Sequence, residues 1–323
     1  MKRKIAVLTS GGDAPGMNAA VRAVVRVGIA RGLEVIGIRR GYQGLLEDNL
    51  APLGPRDVSN IIQRGGTILK TSRSAEFVTP AGQQKAKAVL ERHGIDGLIL
   101  IGGDGTFRGG VDLGKIWPGQ VIGVPGTIDN DVYGSDFTIG YDTAVNTALE
   151  AIDKIRDTAD SHDRFFLVEV MGRHSGFIAL SVGVSGGAEE VLVPEQPFDV
   201  KTICDRLCAG RKQGKTSSII VVAEGDETGG AVKLAQQLQP LSNHEFRVVI
   251  LGYLQRGGSP TAADRLLATK LGAYAVELFL EGKTGVMAGE VGGRLCATPL
   301  RETWERKKPL DAYLLAVHPQ LST

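Results

Sequence analysis

The sequence predicts an α/β protein built from doubly wound, mostly parallel sheets, and three observations point there. Short apolar runs of strand length alternate with longer amphipathic stretches through most of the 323 residues. Glycine is in excess at 44 residues, which suits a chain with many tight turns beside strands. Charge nearly cancels, with 37 Lys and Arg against 36 Asp and Glu, so no global field directs the chain to nucleic acid or a membrane surface. Local basic clusters remain compatible with a small anionic ligand.

The apolar runs predicted as strands are Ile5–Leu8, Glu34–Ile38, Leu98–Ile101, Val121–Val124, Phe165–Val170, Glu190–Val193, Ile219–Ala223 and Arg247–Leu251. Helical spacing is read over Met17–Ala30, Gly82–His93, Tyr141–Thr158, Lys201–Arg211 and Ala263–Glu281. In the first of these, Val21, Val24, Val25 and Gly28 share one face, while Arg22 and Arg26 lie on the other. The length allows two domains. The expected boundary lies near Gly140, before the long helix that opens at Tyr141. A return crossing is expected near Tyr253, where Gln255-Arg256-Gly257-Gly258-Ser259-Pro260 begins a new loop and helix.

The apolar run after the basic start Met1-Lys2-Arg3-Lys4 is too short for a signal peptide. No apolar stretch approaches the roughly 20 residues that span a bilayer. Cys204 and Cys208 are four apart on a predicted helix, but no His or further Cys joins them. With Cys296 they read as thiols in a reducing compartment, and the expectation is a soluble, cytoplasmic protein.

The chemistry concentrates where predicted strands end, the position at which open α/β sheets bind ligands. The first strand runs into Thr9-Ser10-Gly11-Gly12-Asp13-Ala14-Pro15-Gly16-Met17-Asn18, a glycine turn that lets phosphate approach backbone N–H groups at a helix start. Neither a GxGxxG fingerprint nor a Walker loop is present. Gly102-Gly103-Asp104-Gly105-Thr106 places one carboxylate among glycines, a pattern suited to a metal ion and nucleotide phosphates. It occurs in several kinase groups and does not choose a substrate.

Pro125-Gly126-Thr127-Ile128-Asp129-Asn130-Asp131 follows the next strand. If the segment is extended, Thr127, Asp129 and Asp131 line one wall, with Asp129 the candidate base and Asp131 its neighbour. Met171-Gly172-Arg173-His174-Ser175-Gly176 supplies a strand-end guanidinium for phosphate oxygens, with His174 read as structural. Arg164, Arg247 and Arg256 lie near other strand boundaries, and Glu224 ends Ile219–Ala223 where it can accept from a sugar hydroxyl. Together these are the parts of a phosphoryl-transfer site.

Taken in order, the Thr9–Asn18 loop, the Ile101–Gly105 loop, the Pro125–Asp131 segment, Met171-Gly172-Arg173 and Gln255–Pro260 resemble the bacterial 6-phosphofructokinase family. The resemblance runs from Ile5 to about Tyr274. It implies two similar lobes with the active site in the cleft between them: residues 1–140 plus 254–304 for the nucleotide, and 141–253 plus 305–323 for the sugar phosphate. It further implies transfer of the γ-phosphoryl of Mg-ATP to the 1-hydroxyl of fructose 6-phosphate. By position, Asp129 matches the general base, Thr127 and Arg173 partners of the moving group, Asp104 the magnesium ligand and Gly12 a nucleotide-phosphate contact. Arg73, Ser74, Gly103, Gly105 and Thr106 fall in the nucleotide region. Met171, Gly172, Glu224 and Arg256 match sugar-phosphate positions. Tyr253 stands where many relatives carry His. Arg164 and Arg247 match residues that the family supplies from a neighbouring subunit, which implies a homotetramer.

Relatives that use pyrophosphate typically carry Asp and Lys where this chain has Gly105 and Gly126, so the resemblance favours ATP. Arg22, Arg26, Arg156, Glu189 and Lys215 match an effector site for ADP or phosphoenolpyruvate. That site is depleted here: an Arg expected near Ser59 is displaced, with Pro55 at its apparent place and Arg56 beside it, and Gln213, Thr216 and Ser217 replace basic residues. Weak or altered control by those effectors is expected. The alternatives left open are a pyrophosphate-dependent enzyme of the same fold and a non-catalytic subunit that binds sugar phosphate.

Overall fold

The computed structural model describes residues 2–225, 229–242 and 244–322. In chain order the elements are β1 (Lys4–Thr9), α1 (Met17–Ala30), β2 (Glu34–Ile38), α2 (Gly41–Leu46), β3 (Leu50–Pro52), α3 (Pro80–Arg92), β4 (Gly97–Gly102), α4 (Asp104–Gly114), β5 (Gln120–Pro125) and α5 (Tyr141–His162). Then come β6 (Phe165–Val170), α6 (Phe177–Ser185), β7 (Glu190–Leu192), α7 (Val200–Lys212), β8 (Ser218–Ala223), α8 (Gly230–Ser242) and β9 (Phe246–Ile250). A 3₁₀ turn (Gly252–Arg256) leads to α9 (Ala262–Leu280), β10 (Val286–Val291), β11 (Arg294–Pro299), α10 (Glu302–Glu305) and α11 (Ala312–Leu321). No described helix is long and apolar enough to cross a membrane. All eight apolar runs form strands.

The chain divides into two units. One holds the residues up to Ile128 with Val132–Thr143 and Arg256–Lys308; the other holds Asp129–Asp131, Ala144–Gln255 and the residues from Pro309. The first unit carries a seven-stranded sheet in the order β11-β10-β5-β4-β1-β2-β3, parallel except where the edge strands β3 and β11 pair antiparallel with β2 and β10. Its inner strands are apolar on both faces because helices cover both. Ala6, Leu8, Leu98 and Leu100 pack in one cluster with Val89 and Leu90 of α3 and Phe107 and Leu113 of α4. On the other face lie α1 and α9, which approach closely: a Cβ on Gly272 would stand 2.8 Å from the Ala20 carbonyl oxygen and 2.9 Å from the Ala23 Cβ.

The β10–β11 hairpin lies outside the apolar runs read from the sequence. Val291 pairs with Arg294 across a two-residue turn, Gly292-Gly293, in which both residues have positive φ. Gly-Gly is a signature of that turn. Neither strand forms a long apolar run, because Gly289 and Glu290 interrupt β10 while Arg294 and Thr298 interrupt β11, which is mostly exposed.

The second unit carries a four-stranded parallel sheet, β7-β8-β6-β9. Phe165, Leu167, Ile220 and Val222 pack with Ile203 and Leu207 of α7 and Leu234 and Leu238 of α8.

Candidate active site

In the first unit, register brings three loops to one edge. Thr9 pairs with Ile101, and Gly102 with Pro125, so the segments after β1, β4 and β5 begin side by side. The chain leaves β1 towards β2 on one side, and β4 towards β5 on the other, which makes the space between β1 and β4 the topological switch point of this sheet. The glycine loop after β1 and the Asp104 loop flank it.

Asp104 opens α4, an eleven-residue helix whose N-cap is Gly103. A carboxylate in the first turn faces the positive end of the helix macrodipole. One Asp104 oxygen accepts from the Gly105 N–H at 2.6 Å, and the other lies 3.7 Å from the Arg108 Nε. A Cβ built on Gly105 would meet no heavy atom within 4 Å. Gly126 differs: a Cβ there would stand 3.0 Å from an Ile101 methyl and 3.2 Å from the Met17 Cε. A longer side chain at 126 therefore has to displace packed neighbours, whereas one at 105 enters open space.

The residues expected around this loop are partly brought together. Thr106 is buried, and its Oγ1 would lie 3.5 Å from a Cβ on Gly11. The Gly11 carbonyl accepts from Thr71 Oγ1 at 2.6 Å, which ties the glycine turn to the segment carrying Arg73 and Ser74. Ser74 serves locally, accepting from the Phe77 N–H at 3.2 Å. Arg256 lies over the glycine turn: its Nη1 donates to the Asp13 carbonyl at 3.1 Å and would stand 2.5 Å from a Cβ on Gly12. The resemblance groups Arg256 with Met171, Gly172 and Glu224; Arg256 lies in the first unit and those three in the second.

Several residues that shape this edge were not read from the sequence. Asn18, buried at the start of α1, donates to the Arg64 and Gly65 carbonyls at 3.0 and 3.1 Å and accepts from the Ile68 N–H at 2.7 Å. Thr9 Oγ1 meets Thr67 Oγ1 at 2.9 Å and donates to the Lys70 carbonyl at 2.9 Å. Tyr42 donates to the Thr106 carbonyl at 2.6 Å and stacks on Phe77 with centroids 3.8 Å apart. Burial, aided by Asp112, pushes the Tyr42 phenol well above its usual range, so it stays a donor. The available signal was a run of polar residues at an apolar element's end; their partners, up to 64 positions away, carried none.

Thr127 is nearly buried, and its carbonyl accepts from Thr138 Oγ1 at 2.6 Å. Extension beyond it fails. The chain bends at Ile128 and Asp129, and Asn130 takes a left-handed conformation with φ 54°. The expectation that alternation places Thr127, Asp129 and Asp131 on one wall is therefore corrected: a left-handed residue between the two aspartates breaks the two-residue period.

In the second unit, Asp129 is buried to 7% exposure, and its carbonyl accepts from Ser175 Oγ at 3.0 Å. Val170 pairs with Ala223, so Met171-Gly172-Arg173 and Glu224 leave adjacent strand ends. Ser175 N–H closes a turn onto the Gly172 carbonyl at 3.0 Å. Arg173 is held left-handed with φ 62°, and its N–H donates to a Glu224 oxygen at 3.2 Å. Arg164 precedes β6 and Arg247 is the second residue of β9, opposite Phe166, so both lie at the entry end of this sheet. A six-residue strand is about 20 Å long, which keeps them from Arg173 and Glu224 of the same chain. Tyr253 is 83% exposed in the 3₁₀ turn after β9.

Of the expected effector residues in this unit, each has a backbone partner. Arg156 donates to the Gly186 and Gly187 carbonyls at 2.5 and 2.8 Å, Glu189 accepts from the Ile219 N–H at 2.7 Å, and Lys215 donates to the Ser322 carbonyl at 2.5 Å. Arg22 and Arg26 lie on α1 in the first unit, with Arg26 at 3.5 Å from the Pro55 carbonyl.

The likeness to known proteins extends over nearly the whole chain. The family described as Phosphofructokinase matches residues 4–279. The ATP-dependent 6-phosphofructokinase 1 of Thermus thermophilus is 59% identical over 99% of both chains. The ATP-dependent 6-phosphofructokinase of Cytophaga hutchinsonii is 52% identical over 99% of this chain and 98% of its own. Among solved structures, phosphofructokinase from Saccharomyces cerevisiae superposes with a TM-score of 0.88 at 37% identity, over 94% of this chain and 45% of that one. The pyrophosphate-dependent phosphofructokinase from Marinobacter aquaeolei gives 0.85 at 24% identity and speaks to fold alone.

One prediction follows from the loop anchoring. Asn18→Ala removes three hydrogen bonds at about 1 kcal/mol each, so the 64–73 segment opens more often. Trypsin is expected to cut after Arg64, Lys70 or Arg73 at least about tenfold faster than in the unaltered protein, read by mass spectrometry of timed digests.

Proposed function

The chain belongs to the phosphofructokinase family, and we propose that it transfers the γ-phosphoryl group of ATP to the 1-hydroxyl of fructose 6-phosphate, giving fructose 1,6-bisphosphate and ADP. The carrying observation is the start of α4, where Asp104 sits at the positive end of a helix and the Cβ position of Gly105 opens onto free space. The helix start and the open space suit a nucleotide polyphosphate, with the Asp104 carboxylate suited to its counter-ion. The full-length relatives named ATP-dependent 6-phosphofructokinase support the same donor and acceptor.

The family implies a magnesium ion, and the donor set fits one. Among the described residues no group of three or more His, Cys, Asp or Glu could hold a metal. A single half-exposed carboxylate such as Asp104 suits an ion whose other ligands are phosphate oxygens and water. Bound there, magnesium would neutralise charge on the β- and γ-phosphate oxygens.

The chain's own groups divide the remaining work. The Gly12 turn and the Gly103–Thr106 backbone cradle the polyphosphate, with Arg73 and Ser74 on its nucleotide side. Asp129 accepts the proton of the 1-hydroxyl as that oxygen bonds to the γ-phosphorus, and the bond to the bridging oxygen of ADP breaks. The Thr127 hydroxyl and the Arg173 guanidinium steady the charge spread over the moving phosphoryl. Met171, Gly172, Glu224 and Arg256 hold the sugar phosphate. Arg164 and Arg247, at the entry end of their sheet, serve the site of a neighbouring subunit, which makes the working form a cytoplasmic homotetramer. With Pro55 at the apparent place of an expected Arg and Gln213, Thr216 and Ser217 in place of basic residues, the matching effector positions carry too few charges for strong control by ADP and phosphoenolpyruvate.

Assays with Mg-ATP and Mg-pyrophosphate side by side are expected to show phosphorylation of fructose 6-phosphate with ATP alone; turnover with pyrophosphate overturns the donor assignment. Replacing Asp129 with Ser is expected to lower kcat by about 10²- to 10⁴-fold, while the dissociation constant for fructose 6-phosphate changes little. Unchanged turnover removes Asp129 as the base. Addition of ADP or phosphoenolpyruvate should shift the fructose 6-phosphate saturation curve only slightly, and strong activation by ADP refutes the depleted-effector reading.

A further inference from the structure

The segment that carries Thr127 is anchored at its far end by a residue with no assigned role. After β5 the chain runs out and returns to its own start: Gly126 bridges to Ile139, the Ile139 N–H donates to the Pro125 carbonyl at 2.9 Å, and Thr138 Oγ1 donates to the Thr127 carbonyl. The next residues are gripped by Asp264, which lies in the first turn of α9 and is 1% exposed. One Asp264 oxygen accepts from the Gly140 N–H at 2.7 Å; the other accepts from the Thr143 N–H at 2.8 Å and from Thr143 Oγ1 at 2.5 Å.

The ordinary N-cap bond of α9 is made, with the Asp264 N–H donating to Thr261 Oγ1 at 3.3 Å, but the Asp264 side chain turns to another helix. Thr261-Ala262-Ala263-Asp264 reads as a capping box, in which the acid returns to its own N-cap N–H. Here the Thr261 N–H donates instead to Thr143 Oγ1 at 3.0 Å, and Thr261 Oγ1 meets an Asp142 oxygen at 2.6 Å. Asp264 thus caps the start of α5, and α5 returns a bond to the cap of α9. Asp264 also backs the glycine turn: a Cβ on Gly16 would stand 2.7 Å from Ile139 and 3.6 Å from the Asp264 Cβ. Burial pushes the Asp264 carboxyl up, and its bonds to Thr143 and Gly140 oppose that shift. Burying a carboxylate is costly unless it is hydrogen-bonded, and these three donors supply that compensation.

We propose that Asp264 is a positioning residue for phosphoryl transfer, fixing Thr127 through Gly140, Ile139 and Thr138. The turnover consequence rests on the proposed kinase activity; the anchoring itself does not. In Asp264→Asn one oxygen becomes an amide NH₂ that faces a donor, so one side of the clamp is lost at almost unchanged volume. The control is Thr261→Ala, which weakens the α9 cap and leaves the Gly140 bond in place.

Two readouts separate the cases. Hydrogen exchange is expected to quicken about tenfold or more at the Ile139 amide, which donates to the Pro125 carbonyl, in Asp264→Asn and not in Thr261→Ala. With fructose 6-phosphate and Mg-ATP, kcat of Asp264→Asn should fall about tenfold to a hundredfold, with both KM values little changed and both variants assayed well below their melting temperatures. Thr261→Ala should lower the melting temperature and keep its turnover. Unaltered exchange at Ile139 in Asp264→Asn overturns the anchoring, whatever the enzyme does. Faster exchange with undiminished kcat in an active enzyme overturns the positioning role. An inactive unaltered protein condemns the kinase reading and leaves the exchange result to decide the anchoring.

Discussion

The parallel register of β1, β4 and β5 is the constraint on which the first unit's ligand edge depends. Because helices cover both faces, the strands are apolar throughout, and alternation of polarity cannot fix their pairing. Shape does it instead. A Cβ on Gly123 would stand 2.7 Å from the Phe107 ring and 2.8 Å from Leu300, and Gly97 leaves room for the Phe279 ring in the same way. A one-residue slip would drive Leu98 or Val124 into those rings, an overpacking cost of about 1–3 kcal/mol at each site. The glycines that look like turn formers in composition are, at these positions, holes that seat aromatic side chains.

The second unit reaches its geometry by strain rather than by fit. Arg173 adopts a conformation that costs a side-chain-bearing residue about 1 kcal/mol or more. Three features hold it there. The preceding Gly172 has φ 150°, Ser175 closes the turn onto the Gly172 carbonyl, and the Arg173 N–H is fixed by Glu224. Gly225, with φ 82°, allows its own backbone to pass directly against the Arg173 carbonyl, where any Cβ would collide. The two residues assigned to the moving phosphoryl and to the sugar are therefore coupled through one backbone hydrogen bond. Under the proposed activity, a change at Glu224 would bear on Arg173 as well as on sugar binding.

Legibility followed sequence distance. The eight strands could be read because each is a local apolar run, and the glycine loops because their residues are contiguous. The 126–143 segment shows where this stops. Its bend at Asn130 depends on a single backbone angle that an Asn tolerates but does not announce. Its anchor, Asp264, lies 121 to 124 positions from its partners, so no local pattern marked it. Asn18 and Tyr42 were hidden for the same reason: a buried polar side chain is defined by the donors and acceptors around it, and those come from other elements.

Gly105 and Gly126 look equivalent in the sequence but answer to different forces. Gly126 is explained by packing, since its neighbours already stand at 3.0 and 3.2 Å from where a Cβ would be. A substitution there disturbs Ile101 and Met17 before it touches any ligand. Gly105 has no such explanation: it lies in the first turn of a helix, where glycine costs about 1 kcal/mol relative to alanine, its φ is not in the left-handed range, and the space beside it is open. Under the proposed activity that space is where the nucleotide lies, so the donor preference should reside at 105, with 126 acting only through the packing of the strand end. An acidic side chain at 105 would add repulsion against phosphate beside Asp104 while leaving the fold intact. The same residue at 126 would have to be accommodated by the core, and any loss of ATP use there would come with a loss of stability.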